Sequence, residues 1–109
     1  MRLVIVESPW AGSVEKHERY ARAAMADCLK RGEAPFASHL LYTQPGVLDD
    51  RIHEERILGI EAGLAWGRKA ELTVVYTDCG MSNGMKMGIS RALAEGRSIN
   101  YRTIPDWKD

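Results

Sequence analysis

The chain of 109 residues carries 15 Lys and Arg against 15 Asp and Glu, a formal net charge of zero with a pI near 6.8. With 45% hydrophobic and 28% charged residues it has the composition of one globular domain, which excludes the disordered, collagenous and coiled-coil classes. A polynucleotide partner is disfavoured too, because holding a phosphate backbone needs clustered Lys and Arg in excess.

Leu3-Val4-Ile5-Val6 predicts a strand buried on both faces, and Glu7 to Ser13 the loop that leaves it. From Ser13, a candidate N-cap, apolar or small residues recur at Val14, His17, Ala21, Ala24, Met25 and Cys28, which predicts a helix of about five turns ending at Arg31-Gly32. Ala34 to His39, with Pro35 near its start, reads as a short second strand with His39 at its end. Leu40 to Asp50 contains Gln44-Pro45-Gly46 and is expected as a loop of roughly ten residues, long enough to be functional or a lid. Asp49 or Asp50 then caps a second helix running to about Lys69, with Ile52, Ile57, Ile60, Leu64 and Ala65 on its buried side. Glu71 to Thr77 is another buried strand, which breaks into the polar loop Asp78 to Gly84. Met85, Gly88, Ile89, Ala92 and Leu93 form the stripe of a third helix ending at Gly96, and Ile99 to Ile104 gives the last strand.

This order predicts an α/β fold: a single Rossmann-like three-layer domain over residues 1–109, with a four- to five-stranded parallel sheet and right-handed crossovers. Ligands of such sheets bind beyond the carboxyl ends of the strands, where strand order reverses. Glu7 to Ser13, Ser38-His39, Thr77 to Gly84 and Tyr101-Arg102 are therefore the segments expected at a site.

Ser82-Asn83-Gly84 opens the third helix, where free backbone N–H groups and the helix dipole can cradle a phosphate or carboxylate; a plain N-cap and tight turn explain the same residues equally well. Ser8, Gly12 and Ser13 at the entry of the first helix read the same way. Trp10 lies in a turn, where it stacks on a base or sugar or else packs on a neighbouring loop. Glu7 and Asp78 each follow a buried strand directly, so their carboxylates are candidates for an acid/base pair or for accepting ribose hydroxyls, with a turn role open for Asp78. His39 is a candidate acid or base, and Glu55 a third carboxylate, although acidic residues in a helix first turn are favoured by the dipole alone.

Two cysteines, Cys28 and Cys79, are too few for a disulfide scaffold and lie in no metal-ligand pattern. No metal or cofactor is expected, and a reduced, cytoplasmic setting fits. The opening apolar run stops at Glu7, far short of a signal-peptide core or the ~20 apolar residues of a membrane span.

An opening strand leading into Ser8-Pro9-Trp10-Ala11-Gly12, then a helix, then Gly32-Glu33-Ala34-Pro35-Phe36-Ala37-Ser38-His39, resembles the nucleoside 2-deoxyribosyltransferase-like superfamily. Gly59 to Trp66, the strand Leu72 to Tyr76, and Ser82-x-Gly84-Met85-x-x-Gly88-Ile89 continue the match over nearly the whole chain. The likeness is greatest to a small, often phage-borne or prophage-borne branch. The resemblance implies a small-molecule nucleoside or nucleotide partner, homodimers or larger homo-oligomers, and cleavage or transfer at the N-glycosidic bond by a Glu nucleophile near the start of the third helix.

Lys86 stands where that Glu would be, and an ammonium repels the positive charge that develops at the anomeric carbon. The base would then have to come from Glu7, Asp78 or Glu55. The residues suited to holding a ligand remain: Ser8, Trp10, Gly12, Ser13, His39, Ser82, Asn83, Gly84, Met85 and Lys86, with Lys86 facing a phosphate. A non-catalytic module that senses or sequesters a nucleotide needs that set and no nucleophile.

Overall fold

A computed structural model describes residues 1–109. In chain order the elements are β1 (Arg2–Glu7), α1 (Val14–Lys30), β2 (Glu33–Phe36), α2 (Ser38–Leu41), α3 (His53–Gly67), β3 (Leu72–Tyr76), α4 (Asn83–Ala94) and β4 (Ser98–Arg102). The four strands pair in parallel in the order β2-β1-β3-β4. The chain leaves β1 toward β2 through α1 and then returns across β1 to β3, so strand order reverses between β1 and β3, as in Rossmann-like sheets.

The two-residue period of β1 divides it between two environments. Val4 and Val6 join Leu72, Val74 and Tyr76 of β3 in a core closed by Tyr20, Ala24 and Cys28 of α1. Ile5 and Glu7 point the other way, into a cavity walled by α3 and α4. β3 is buried along its whole length, as its unbroken run of apolar and β-branched residues leads one to expect.

The elements depart from the sequence reading at three places. β2 ends at Phe36, and Ser38-His39 opens α2 instead of closing the strand: the Ala37 carbonyl accepts the N–H groups of Leu40 and Leu41 at 3.1 and 3.0 Å, turning the chain at once. α3 starts at His53 with Ile52 in the N-cap position, so neither Asp49 nor Asp50 caps it; Asp49 instead binds Arg51. The expected buried side of α3 is met only in part: Ile60 and Leu64 are half-buried on the cavity wall, whereas Ile52, Ile57 and Ala65 are exposed. Only Gly67 is buried, while Ile57, Leu58 and Trp66 are 40, 56 and 55% exposed. In α1 the residue that fills the core is Tyr20, outside the expected stripe, while Val14 is exposed.

Arg102 does not contribute positive potential at the ligand edge. Its guanidinium is buried and forms a two-pronged pair with Glu33, both N···O distances being 2.7 Å, beside the Tyr76 hydroxyl and the Cys28 thiol. The hydrogen bonds from Arg102 hold the Glu33 carboxyl below the usual carboxylate range. No helix is long and apolar enough to cross a membrane.

Candidate functional site

Beyond the carboxyl end of β1 lies a cavity of about 420 Å³, bounded by β1, the β2–α2 turn, the 42–50 loop, α3 and the start of α4. That volume lies within the range that takes small organic ligands. Its position at the β1/β3 switch point follows from the topology.

Glu7 ends β1 and reaches the cavity floor. Burial pushes its carboxyl up to about 8, with the nearby Arg97 guanidinium opposing that rise. The carboxyl therefore favours its protonated form at neutral pH. It lies flat against α4 at Gly88, where an added Cβ would overlap it. Arg97 is itself committed: it donates to Thr73 Oγ1 at 2.9 Å, the Gly67 carbonyl at 2.6 Å and Glu95 Oε1 at 2.8 Å.

The next residue, Ser8, is buried and sits 2.7 Å from His39 Nε2. Burial lowers His39 to about 4, so the imidazole is neutral in the native state. Trp10 meets the His39 ring edge-on with centroids 5.8 Å apart, and its carbonyl lies 3.0 Å from His17 Nδ1. His17, given no chemical role from the sequence, thus fixes the loop that carries Trp10. The indole is only partly buried and lines the cavity wall.

Ser82, Asn83, Gly84 and Met85 line the cavity at the entry to α4. The Ser82 hydroxyl accepts the Met85 N–H at 3.2 Å, so this serine is a true N-cap and its side chain is already engaged. Glu55 reaches the rim from the first turn of α3 and accepts the Asp49 N–H at 2.9 Å. Asp50 and Arg56 complete the charged groups around the opening.

Four expected residues lie elsewhere. Asp78 is a turn residue: its N–H donates to the Tyr20 hydroxyl at 2.8 Å, and its Oδ2 accepts from that hydroxyl at 2.5 Å and from Ile104 N–H at 2.9 Å, which ties the end of β3 to the C-terminal segment. Gly12 and Ser13 are exposed and off the cavity wall, with Gly12 at φ +91° making the turn into α1 and Ser13 in the N-cap position without a side-chain bond. Lys86 is exposed and does not line the cavity. With Met85, Gly88 and Ala92 turned inward, the helical period leaves position 86 on the outer face.

Ser38, in a segment expected at the site, lines the cavity, whereas Arg97, Gly88 and Gly63 were not anticipated there. Arg97 carries no motif, and only the fold brings it across to Glu7. Gly63 faces Ser38, whose hydroxyl would be 2.5 Å from a Cβ there, so the glycine permits α2 to close on α3. No three His, Cys, Asp or Glu side chains are grouped to hold a metal ion.

No curated protein matches this sequence. Among solved structures, the 2-deoxyribosyltransferase of Bacillus psychrosaccharolyticus is similar in fold, with a TM-score of 0.65 at 16% identity over 98% of this chain and 76% of that one. Residues 2–102 match a family described as a domain of unknown function, and the parallel sheet, the reversal at β1/β3 and the cavity lie within that span. The chain belongs to that family, DUF7768.

Proposed function

We propose that this domain binds a nucleoside, or a nucleotide derived from one, in the cavity beside β1 and cleaves or transfers at its N-glycosidic bond. The observation that carries this reading is the buried, proton-bearing Glu7 carboxyl on the floor of the cavity at the switch point. A strongly shifted acid in a cleft is the arrangement that acid catalysis requires. The shared fold of a 2-deoxyribosyltransferase supports the choice of substrate class.

In this mechanism Glu7 donates its proton to the leaving base as the C1′–N bond breaks and the bonding pair moves onto the base. The Glu55 carboxylate at the rim takes a proton from the water or hydroxyl that adds to C1′. Trp10 covers one face of the bound rings, and the neutral Ser8–His39 pair offers hydrogen bonds without adding charge beside the cationic transition state. Asp78, Gly12, Ser13 and Lys86 take no part.

Incubation with deoxynucleosides and their monophosphates, followed by chromatography of the free base, tests this directly. Wild type is expected to release base, with a rate lowered about 10²–10⁴-fold in Glu7→Gln, the usual worth of a positioned acid. Lys86 at the position expected for a nucleophile favours the second reading, a module that binds a nucleotide without altering it. Tight retention of a ligand of unchanged mass, with no base released, would establish that reading in its place.

We also infer that the chain self-associates through α3. A helix that is apolar around most of its circumference belongs in an interior, and Leu58 and Trp66 on α3 are more than half exposed. Light scattering is expected to give a dimer or larger assembly for wild type and the monomer mass for Leu58→Asp. A monomeric wild type at micromolar concentration would remove the idea.

A further inference from the structure

Gly88 has no conformational reason to be glycine. It lies inside α4 with no left-handed φ, where glycine is roughly 1 kcal/mol less favourable than alanine. Its reason is steric: the space its side chain would fill holds the Glu7 carboxyl, whose Oε1 is 2.8 Å from an ideal Cβ and whose other atoms are closer still. Gly88 is also buried and lines the cavity, so the carboxyl has helix backbone on one side and the cavity on the other.

We propose that Gly88 is the positioning residue for the acid of this site: by lacking a side chain it seats the Glu7 carboxyl on α4, so that β1 and α4 can each deliver a carboxyl to the same point. This rests on Glu7 being the functional acid of the cavity and goes beyond it, by naming what sets its place. The geometry supports exchange between the two elements. A carboxyl carried one carbon beyond a Cβ at position 88 falls close to where Glu7 holds its own, provided residue 7 is shortened.

The test compares wild type, Glu7→Ala, Gly88→Ala and Glu7→Ala/Gly88→Asp. Carboxyl carbons are followed by NMR across pH, and base release from a deoxynucleoside is measured beside them. Wild type is expected to show one Glu carboxyl titrating near pH 8, which disappears in Glu7→Ala. In the double variant an Asp carboxyl is expected to titrate at least one pH unit above the ordinary Asp range, with at least tenfold recovery of the base release lost in Glu7→Ala. Gly88→Ala, which keeps a good helix former, is expected to displace Glu7 and lower its titration by at least one unit.

A folded double variant whose new Asp titrates in the ordinary range overturns the proposal. If the double variant does not fold, Gly88→Ala decides: an unchanged Glu7 titration overturns it. Failure of the wild type to release base removes the N-glycosidic reading alone, because the carboxyl titrations still report whether Gly88 positions Glu7.

Discussion

Replacing Arg102 with leucine is expected to lower stability by about 3–5 kcal/mol, the range measured when one partner of a buried ion pair is removed. The pair is almost wholly withdrawn from water, with side-chain exposures of 6% for Arg102 and 10% for Glu33. Removing the guanidinium strands a carboxylate that has given up its hydration and two 2.7 Å hydrogen bonds. It also removes the neighbour of the Tyr76 hydroxyl, which donates to Asp27 at 2.7 Å. For a chain of this size the loss corresponds to a fall of about 10–20 °C in melting temperature. The double variant Glu33→Leu/Arg102→Leu is expected to regain at least half of that fall, since two apolar side chains leave no uncompensated charge. A double variant as unstable as Arg102→Leu alone would show that the packing of the arginine stem, and not the ion pair, holds the two sheet edges.

The second large effect is a dependence of stability on pH with two opposed components. Glu7 titrates near 8 in the native state against 4.5 in an unfolded chain, so the folded form binds the extra proton. Its contribution is complete below about pH 4.5 and is lost as pH rises to about 8. His39 is the reverse case, titrating near 4 when folded against 6.5 when unfolded. Its contribution is complete above about pH 6.5 and is lost as pH falls to about 4.

Between pH 4.5 and 6.5 the two slopes oppose each other and stability is expected to be nearly flat. From pH 6.5 to 8 only the Glu7 loss remains, at up to ~1.4 kcal/mol per pH unit for one proton. Denaturant unfolding at a series of pH values measures this. Glu7→Gln is expected to abolish the decline above pH 6.5 and to uncover a loss of stability as pH falls from 6.5 to 4.5, while His39→Gln is expected to leave stability falling continuously as pH rises from 4.5 to 8. If Glu7 acts as the acid, base release also falls above about pH 8, because the deprotonated form has no proton to give. A wild-type stability curve still rising between pH 6.5 and 8 would mean that Glu7 is charged in the native state.

The strands, three of the helices and the sheet edge at which the cavity opens are legible in local sequence pattern. The apolar, β-branched-rich run Leu72 to Tyr76 carries its own burial signal, whereas in Leu3 to Val6 only Val4 and Val6 are buried and Leu3 is exposed; the N-cap Ser82 is encoded by residues within one helical turn of it. Such signals are local. Glu7 also stood out in the sequence as a candidate, because a carboxylate at the end of a buried strand is a departure from pattern, and the fold places it on the cavity wall.

The partner of each polar residue follows from contacts between elements far apart in the chain. Asp78 and Arg102 stand at the ends of strands just as Glu7 does, yet one is held by Tyr20 and the other by Glu33, partners 58 and 69 residues away in the chain. Lys86 and Met87 are neighbours in sequence, but the phase of α4, set by packing Met85, Gly88 and Ala92 inward, puts one in solvent and the other on the cavity wall. Gly88 is the clearest case. Nothing within its own helix calls for glycine, and the requirement comes from a side chain on β1, 81 residues earlier, that needs the space. Period and composition describe each element alone, whereas hydrogen-bond partners, desolvation and excluded volume are properties of pairs of elements, and those pairs exist only once the sheet has formed.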